Sequence, residues 1–329
     1  MSSSAFTPAR YRFFLILLLL LAGAACRKDQ LSWPSAVRLE SHTTHQLNRV
    51  FFASDSLCFA VGGVRYTHAT VLRSADGGFS WQVIDIPEAG KILNDICQSP
   101  DKKLFACGID GRLVQSNDGG ATWHFQQIPD WKSYKTLAFP GADSGILMGG
   151  ISFYSGTLAF FDASGQASGS DSLPYEINRL RFVNTHTGFA AGYGALLKTT
   201  DGGATWQELP GASSDNFTGL YALSEKEIWL CGYNGSIYRT IDGGASWQYL
   251  RNGNNPRLKK YRLYDLVLLN SAQAYCVGEK GMVLYTDDGG RHWMEMKPFT
   301  SANLRSIALC PNGDLLICGE DGELWRVKP

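Results

Sequence analysis

Among the residues that could take part in catalysis, the one that recurs most regularly in this chain is an aspartate. It lies in a nine-residue phrase, KTTDGGATW at 198–206 and RTIDGGASW at 239–247. Related phrases end at Trp81, Trp123 and Trp293, so five copies are present. A recurring carboxylate can take part in catalysis, or it can accept hydrogen bonds within a turn.

The residues around this aspartate favour the structural role. It stands at the head of a Gly-Gly hairpin, where a carboxylate can accept hydrogen bonds from the amides of its own turn. The glycines permit positive φ, and the tryptophan buries a large apolar area beside the turn. The sequence therefore predicts a scaffold role for five aspartates: Asp76, Asp118, Asp201, Asp242 and Asp288.

Other residues with catalytic or metal-binding potential do not form a recognisable set. His42 and His45 are three apart, but Glu40 is the only carboxylate near them. The chain contains no G-x-S-x-G, no phosphate loop and no His and Cys at a motif spacing. We expect no catalytic residue, no metal site and no cofactor.

The spacing of the phrase defines a structural repeat. Trp81 and Trp123 are 42 residues apart and Trp206 and Trp247 are 41 apart. The 83 residues between Trp123 and Trp206 are two periods, with a degenerate copy, FFDASGQ, at 160–166. Four short strand-like segments fill the second unit: 93–97, 103–108, 112–116 and 122–128. Four strands in a period of this length indicate a blade of a β-propeller.

Six complete units end near residues 87, 129, 174, 210, 251 and 298. After Ala302 only three strand-like segments remain: LRSIALC, LLICG and ELWRV. The segment LSWPSAVRLE at 31–40 is predicted to supply the missing outer strand, so that no sheet edge stays open in the last blade. The sequence thus predicts an all-β fold, with residues 27–329 forming one seven-bladed propeller of four-stranded antiparallel blades.

The phrase S/T-x-D-x-G-x-T/S-W resembles the Asp-box (BNR) repeat of sialidases, sortilin-type receptors and xyloglucanases. Seven such blades on one compact chain are most similar to the photosystem II stability/assembly factor family. That resemblance implies a non-catalytic, chaperone-like binder of a membrane-protein subunit, exported across a membrane and held near it. It also implies that the Asp turns lie on the outer rim, far from the ligand.

The alternative is a glycan-binding or carbohydrate-active propeller, as the resemblance to sialidases would imply. Sialidases need three arginines, a tyrosine nucleophile with its glutamate, and an aspartate acid/base. They also carry an Arg-Ile-Pro motif, which this chain lacks, on a six-bladed propeller. Both differences favour the non-catalytic interpretation.

The N-terminus is typical of an export signal. Arg10 and Arg12 precede ten apolar residues at 13–22, too few to span a bilayer as a helix, and GAAC follows at 23–26. The ending resembles a bacterial lipobox, with Cys26 as the lipidated residue, although Gly23 stands where that motif prefers Leu. Ordinary cleavage after the small residues is the alternative. We expect residues 1–26 to be a signal peptide and the protein to be anchored by lipid in a bacterial cell envelope, facing the periplasm or the cell surface.

The net charge bears on the class of partner, and the cysteine positions bear on disulfide formation. Thirty basic and thirty acidic residues give no net charge, which argues against nucleic acid. Cys107, Cys231 and Cys318 share one slot, which other blades are expected to fill with Val61, Gly149 and Ala191. Such a slot accepts a small apolar side chain, so few or no disulfides are predicted.

Ligands of propellers bind to loops at one end of the axis. In this chain those loops and the connections between blades are rich in aromatic residues, which suit a peptide or a sugar. The predicted contact residues are Tyr66, Trp131, Tyr134, Tyr154, Tyr175, Tyr193, Tyr233 and Tyr261. The connection between blades five and six adds a basic segment, which matches loosely the basic patch of the assembly factors: Arg257, Lys259, Lys260 and Arg262. An ordinary solvated loop is the alternative for that segment.

One residue of each inner strand should occupy an equivalent place around the axis, where a polar plug could form: Arg49, Asp95, Thr136, Arg179, Gly219, Asp265 and Ser306. Taken together, the sequence predicts a monomeric, membrane-tethered, non-catalytic platform. Its expected partner is a protein, such as a membrane-protein subunit, bound through the loop face. A module of an envelope assembly without any small ligand is a third hypothesis.

Overall fold

The structure, a computed structural model, describes residues 30–141, 144–211 and 215–329. Residues 32–329 form one compact unit of seven four-stranded antiparallel sheets. The predicted fold class is therefore confirmed. The proposed signal peptide and Cys26 lie outside the described residues.

Each blade takes its strands in chain order from the axis outward, except that the first strand, β1 (Ser35–Arg38), belongs to the last blade. Blade one comprises β2 (Gln46–Phe52), β3 (Cys58–Val64), β4 (His68–Ser74) and β5 (Gln82–Asp85). Blade two comprises β6 (Leu93–Gln98), β7 (Leu104–Gly108), β8 (Arg112–Ser116) and β9 (His124–Gln127). Blade three comprises β10 (Tyr134–Ala138), β11 (Ser144–Ser152), β12 (Ser155–Asp162) and β13 (Ala167–Leu173).

The remaining blades follow the same plan. Blade four comprises β14 (Ile177–Phe182), β15 (Gly188–Gly192), β16 (Leu196–Thr199) and β17 (Gln207–Glu208). Blade five comprises β18 (Phe217–Ala222), β19 (Ile228–Gly232), β20 (Ile237–Thr240) and β21 (Gln248–Arg251). Blade six comprises β22 (Leu263–Leu268), β23 (Ala274–Gly278), β24 (Val283–Thr286) and β25 (Met294–Glu295). Blade seven comprises β26 (Leu304–Leu309), β27 (Leu315–Gly319), β28 (Leu324–Lys328) and β1.

The ring closes through β1, as the sequence predicted. β1 pairs antiparallel with β28, from Ser35 opposite Lys328 to Arg38 opposite Trp325. Just before β1, the ring of Trp33 lies 5.7 Å from that of Tyr275 in blade six. The N-terminal strand thus completes the outer edge of blade seven, and Trp33 ties it to blade six.

Neighbouring blades pack face to face through apolar side chains. Between blades one and two, for example, Phe59, Leu93 and Leu104 are fully buried in one cluster. Gly120, in the Asp turn of blade two, has φ of +80°, and a Cβ there would lie 2.3 Å from the Phe59 ring. The second glycine of the phrase is therefore required both by the turn and by contact with the preceding blade.

The shared small-residue slot differs from expectation in blade three. Strand pairing places Val61, Cys107 and Ala191 opposite Arg49, Asp95 and Arg179. In blade three the residue opposite Thr136 is Met148, and Gly149 is opposite Tyr134 instead. The assignment of Gly149 to the slot was therefore wrong by one position. Gly149 is equivalent to Gly62 and Gly108, the glycines that follow the slot residue in blades one and two, and the slot residue of blade three is Met148.

All seven cysteines in the described part of the chain are free thiols, and six of them are buried. Burial raises the pKa of Cys58 to about 11 and that of Cys310 to about 12. They pack as small apolar side chains between the sheets. The only helices among the described residues are single 3-10 turns at Glu279–Gly281 and Glu320–Gly322, so no helix in that part is long enough to cross a membrane.

Candidate functional site

A β-bulge repeats near the start of every inner strand. The pairing register shifts between a fully buried residue and the slot residue two positions later, as between Leu47 and Arg49 in blade one. The residue between them is displaced from the ladder, as expected at a bulge. The seven bulge residues are Asn48, Asn94, Lys135, Asn178, Thr218, Tyr264 and Arg305.

These seven residues all line one cavity of about 810 Å³ at the mouth of the central channel. The hairpins between the second and third strands of blades one, two, three and five complete its wall, with Arg65, Tyr66, Asp110, Ile151 and Tyr233. A cavity of this size, open at one end of the axis, is the usual place for a propeller to hold a ligand. The bulges therefore decide which side chains a ligand would meet.

Four of the bulge residues join neighbouring blades. Asn48 Nδ2 donates to the carbonyl of Leu93 at 2.7 Å and Asn94 Nδ2 to that of Tyr134 at 2.7 Å. The same bond runs from Asn178 Nδ2 to Phe217 O at 2.8 Å and from Thr218 Oγ1 to Leu263 O at 2.5 Å. Lys135, Tyr264 and Arg305 have longer side chains that depart from this pattern. Lys135 instead reaches Asn178 Oδ1 of blade four at 3.0 Å, and the Arg305 guanidinium lies 4.4 Å from the Tyr264 ring of blade six.

The predicted polar plug is present next to the bulge residues. Arg49 lies between two carboxylates, with Nη1 2.7 Å from Asp265 and Nε 3.4 Å from Asp95. Thr136 and Ser306 each donate a 2.8 Å hydrogen bond, to Asp95 and Asp265 respectively. Burial lowers the pKa of Arg49, but both carboxylates raise it and the net shift is upward. Arg181 lies 3.8 Å from Asp95, so the two buried carboxylates face two guanidinium groups, and this network is a structural element of the channel.

The charges around the cavity are only partly compensated. Lys135 Nζ lies 2.6 Å from Glu176, and its pKa is lowered by burial, which outweighs the attraction of Glu176. Arg305 is paired with Glu320. Arg65 has no carboxylate partner in the described part of the chain, and the buried Nε of Arg179 has no acceptor there. The mouth therefore carries a positive excess.

Three of the predicted aromatic residues are prominent on the surface. Tyr154 is 75% exposed, Tyr66 63% and Trp131 59%. Tyr193 is half-buried, with its ring stacked on Phe153 at 4.3 Å and edge-on to Tyr154 at 5.4 Å. Phe153 and Tyr154 of the blade-three hairpin thus form a cluster of three rings with Tyr193 of the blade-four loop.

Tyr134 is not a contact residue, which corrects the prediction. It occupies the fully buried position before the bulge, equivalent to Leu47 and Leu93, and its hydroxyl donates to Asp130 at 2.6 Å. The side chain packs between blades two and three and cannot reach a partner. Tyr175 is half-buried. Burial and a hydrogen bond with Glu208 raise its pKa to about 12.

Half of the basic residues in the segment between blades five and six are paired with carboxylates. Arg262 lies 3.5 Å from Glu279 and its guanidinium covers the ring of Tyr233, which lines the cavity. Lys259 lies 3.6 Å from Glu295 and 5.9 Å from the Tyr261 ring. Arg257 and Lys260 are exposed and form no ion pair with the described residues. The charges of Lys259 and Arg262 are therefore used within the propeller, whereas those of Arg257 and Lys260 face solvent.

Large apolar side chains are exposed on only one sector of the loop face. They belong to blades one and three and the connection between blades two and three: Val64, Tyr66, Trp131, Ile151, Phe153 and Tyr154. The other exposed large apolar residues of the described chain lie on outer strands, the N-terminal segment or the opposite turns. We call these six residues the apolar sector. Sequence reasoning selected three of them and missed Val64, Ile151 and Phe153, although ISFYS is a run of apolar and aromatic residues in a hairpin tip.

The Asp turns lie at the other end of the blades. In blade four, β16 runs from the cavity-side loop to the turn, where Asp201 Oδ1 accepts from Thr205 N at 2.9 Å. Thr199 Oγ1 donates to Asp201 at 2.7 Å and accepts from Gly203 N at 2.9 Å. Hydrogen bonds from the hydroxyl and the amide of Thr205 and from the hydroxyl of Thr199 lower the pKa of Asp201 to about 2. The degenerate copy keeps part of this arrangement, since Asp162 accepts from the amides of Ser164 and Gln166.

The described residues contain no group of three or more His, Cys, Asp or Glu side chains that could hold a metal ion. His45, at the cavity wall, forms a 2.7 Å hydrogen bond with the hydroxyl of Thr70. Thr70 is fully buried, so this hydroxyl cannot reach a substrate in the cavity.

Comparison with known proteins identifies relatives of the fold. No protein-family model matches the chain, and no curated protein matches it. Among solved structures, it is similar to YCF48 bound to D1 peptide, with a TM-score of 0.68 and 18% identity over 92% of this chain and 96% of that one. YCF48 from Cyanidioschyzon merolae gives a TM-score of 0.70 and 16% identity over 90% of this chain and 99% of the other.

The WD40 β-propeller domain of Doa1 is also similar, with a TM-score of 0.67 and 13% identity over 91% and 96% of the two chains. At these identities the similarities show the fold, a seven-bladed propeller.

Proposed function

We propose that this protein is a non-catalytic platform that binds a polypeptide partner through the apolar sector of its loop face. The observation that carries this proposal is the clustering of six exposed large apolar side chains on blades one and three and on the connection between blades two and three. Exposed apolar side chains that cluster beside a cavity mark an interaction surface more often than scattered ones. Aromatic rings are also enriched among the residues that dominate protein interfaces.

The positive excess at the cavity mouth adds a second element of recognition. Arg65 lies between the apolar sector and the bulge residues, and its guanidinium is 5.3 Å from the Tyr66 ring. A partner with an apolar segment and a nearby carboxylate would satisfy both surfaces. The similar structure of YCF48 bound to D1 peptide is consistent with a polypeptide ligand for a propeller of this shape.

The site favours binding over catalysis. Lys135 and Arg305 are held in ion pairs, and the hydroxyl that His45 contacts belongs to a fully buried threonine. The proposal therefore assigns the cavity to recognition. The repeated aspartates, which we interpret as Asp-box residues, remain assigned to the scaffold because each accepts hydrogen bonds from its own turn.

The location proposed for this platform is a bacterial cell envelope, with Cys26 lipidated after removal of the signal peptide. The apolar run at 13–22 and the GAAC ending support it. Cys26→Ala should then move the protein from the membrane fraction to the soluble fraction. Retention in the membrane fraction would contradict lipidation, and ordinary cleavage predicts no difference between the two chains.

Binding can be tested by photo-cross-linking in the native cell, with the photoreactive residue placed at Tyr66 and the captured protein identified by mass spectrometry. Ile151→Ser and Tyr154→Ala should abolish capture of that protein, since both remove apolar surface from the sector. Ile241→Ser is the matched control, because Ile241 is 55% exposed in the Asp turn at the opposite end of blade five.

Equal capture by all three variants would contradict the proposal. A glycan array with the same proteins distinguishes the alternative function. Saturable sugar binding that is lost in Tyr66→Ala would favour a glycan ligand, whereas absence of binding on the array together with sector-dependent capture favours the polypeptide.

A further inference from the structure

The outer strand of blade three is unlike the other six. β13 extends over seven residues, whereas β1, β5, β9 and β21 have four each and β17 and β25 have two. Short outer strands leave few backbone groups open at a sheet edge, which protects a protein from unwanted pairing. Blade three lacks the protection of a short outer strand and keeps only a β-bulge near the start of β13.

One side of β13 is paired and the other is open. It pairs antiparallel with β12, from Gly156 opposite Leu173 to Phe160 opposite Gly169 and, after a β-bulge at Ser168, to Phe161 opposite Ala167. The uninterrupted part of the ladder is therefore Gly169–Leu173. The backbone groups on its outer side receive no hydrogen bond from any described residue. Because every second residue of an edge strand directs its N–H and C=O outward, β13 presents a row of unsatisfied backbone donors and acceptors.

The side chains of β13 leave this edge accessible. Residues 168–172 are Ser, Gly, Ser, Asp and Ser, and all are exposed. The strand contains neither proline nor lysine, the residues that commonly block edges, and Asp171 is its only charge. Recognition here would depend on the main chain rather than on particular side chains.

We propose that the outer edge of β13 binds an extended segment of a polypeptide partner as a fifth strand of blade three. Strand addition supplies the one ligand that satisfies a row of backbone groups at this spacing. A second copy of this chain fits less well, because a stable dimer interface buries a sizeable apolar core and residues 168–172 offer none.

The position of β13 relative to the apolar sector supports a polypeptide. β13 ends at Leu173 opposite Gly156, and Gly156 directly follows the hairpin that carries Phe153 and Tyr154. A partner held by the apolar sector could therefore continue along the outer edge of the same blade. The open edge of β13 does not depend on the proposed function of the apolar sector. Strand addition at β13 and binding at the apolar sector can therefore be refuted separately.

The test uses a random 12-residue peptide library displayed on phage and selected on the full chain, with selected peptides then synthesised. Bound peptides should shift the NMR signals of backbone amides 167–173. N-methylation of alternate peptide amides should weaken binding about tenfold or more, since it removes main-chain donors that the edge requires. Ser170→Lys with Ser172→Lys should weaken it as well, whereas the matched control, Gln82→Lys with Gln248→Lys on β5 and β21, should not. Ile151→Ser should leave peptide binding to the edge intact.

Selection that yields no peptide perturbing amides 167–173 would overturn the proposal. So would binding that tolerates both N-methylation and the lysine pair. Concentration-dependent dimerisation that protects the β13 amides from exchange would assign the edge to a second copy instead and would equally refute it.

Discussion

The side-chain amide of Asn178 donates a hydrogen bond of 2.8 Å to the main-chain carbonyl of Phe217 in the next blade. Asn178 is buried, so the bond is shielded from water. The same contact recurs between blades one and two and between blades two and three. A side chain displaced by a bulge thus links the blades around the cavity.

Asn178→Ala should lower the free energy of unfolding by about 0.5–1.5 kcal/mol, because it leaves the Phe217 carbonyl without this donor. Urea denaturation monitored by tryptophan fluorescence would measure the change. Asn234→Ala, at an exposed position, is the control and should have little effect. Equal losses in the two variants would indicate that the bond contributes nothing specific.

A chain that begins at Ser41 should lose cooperative unfolding and aggregate, because removal of β1 exposes the edge of β28. A synthetic peptide covering residues 31–40 should restore the melting temperature in part. A chain that begins at Leu31 is the control. If the shortened chain melted like this control, the closure by β1 would be of no energetic importance.

Tyr134→Phe and Tyr154→Ala should have opposite effects. Loss of the Tyr134 hydroxyl removes its hydrogen bond to Asp130 and should cost about 0.5–1.5 kcal/mol of stability without changing partner capture. Tyr154 is exposed, so its truncation should abolish capture at unchanged stability. Denaturation and cross-linking of both variants would check this, and a capture defect in Tyr134→Phe at native stability would restore that residue to the contact face.

Acid should destabilise the propeller through its Asp turns. The turn hydrogen bonds hold the pKa of Asp201 and Asp288 at about 2, below the value of about 3.9 expected in an unfolded chain. A lowered folded-state pKa contributes stability that is present above about pH 4 and is lost as pH falls toward 2.

Asp201→Asn should therefore be less stable than the parent chain at pH 7, and the two should converge as pH approaches 2. Melting temperatures between pH 7 and 2 would measure this. A constant difference down to pH 2 would show that the charge of Asp201 has no role.

The seven described thiols should react slowly with Ellman's reagent at pH 8. Burial raises the pKa of Cys58 and Cys310 to about 11 and 12, so little thiolate is present, and six of the seven side chains are also buried. All seven should react within seconds in 6 M guanidinium. Rapid labelling of all seven thiols in the native protein would contradict the burial of the six cysteines between the sheets.

The fold was predictable because each blade repeats a local signal. The aspartate, the two glycines and the tryptophan of the phrase each have a role in one turn, so the period could be counted without long-range information. The closing strand was predictable for a similar reason, since only residues 31–40 could supply the strand that blade seven lacked. Both predictions depended on patterns within single segments.

The site was predicted less well, because its composition depends on a one-residue displacement. Tyr134 was taken for a surface residue although it occupies the position of Leu47 and Leu93, and the bulge residues after them were overlooked. The pattern of a buried residue, a bulge residue and a slot residue is visible in LNR, LND and INR. Exposure of Ile151 and Phe153 could not be inferred, since an apolar residue in a hairpin tip packs inward or outward according to its neighbours.

The pairing of β1 with β28 also sets the order in which the protein can mature. β1 is synthesised almost 300 residues before its hydrogen-bonding partner. A nascent chain therefore cannot close the ring before β28 is made, even when its other sheets have formed. Closure is the last event that the chain order permits, and a chain interrupted before β28 would remain an open arc of blades.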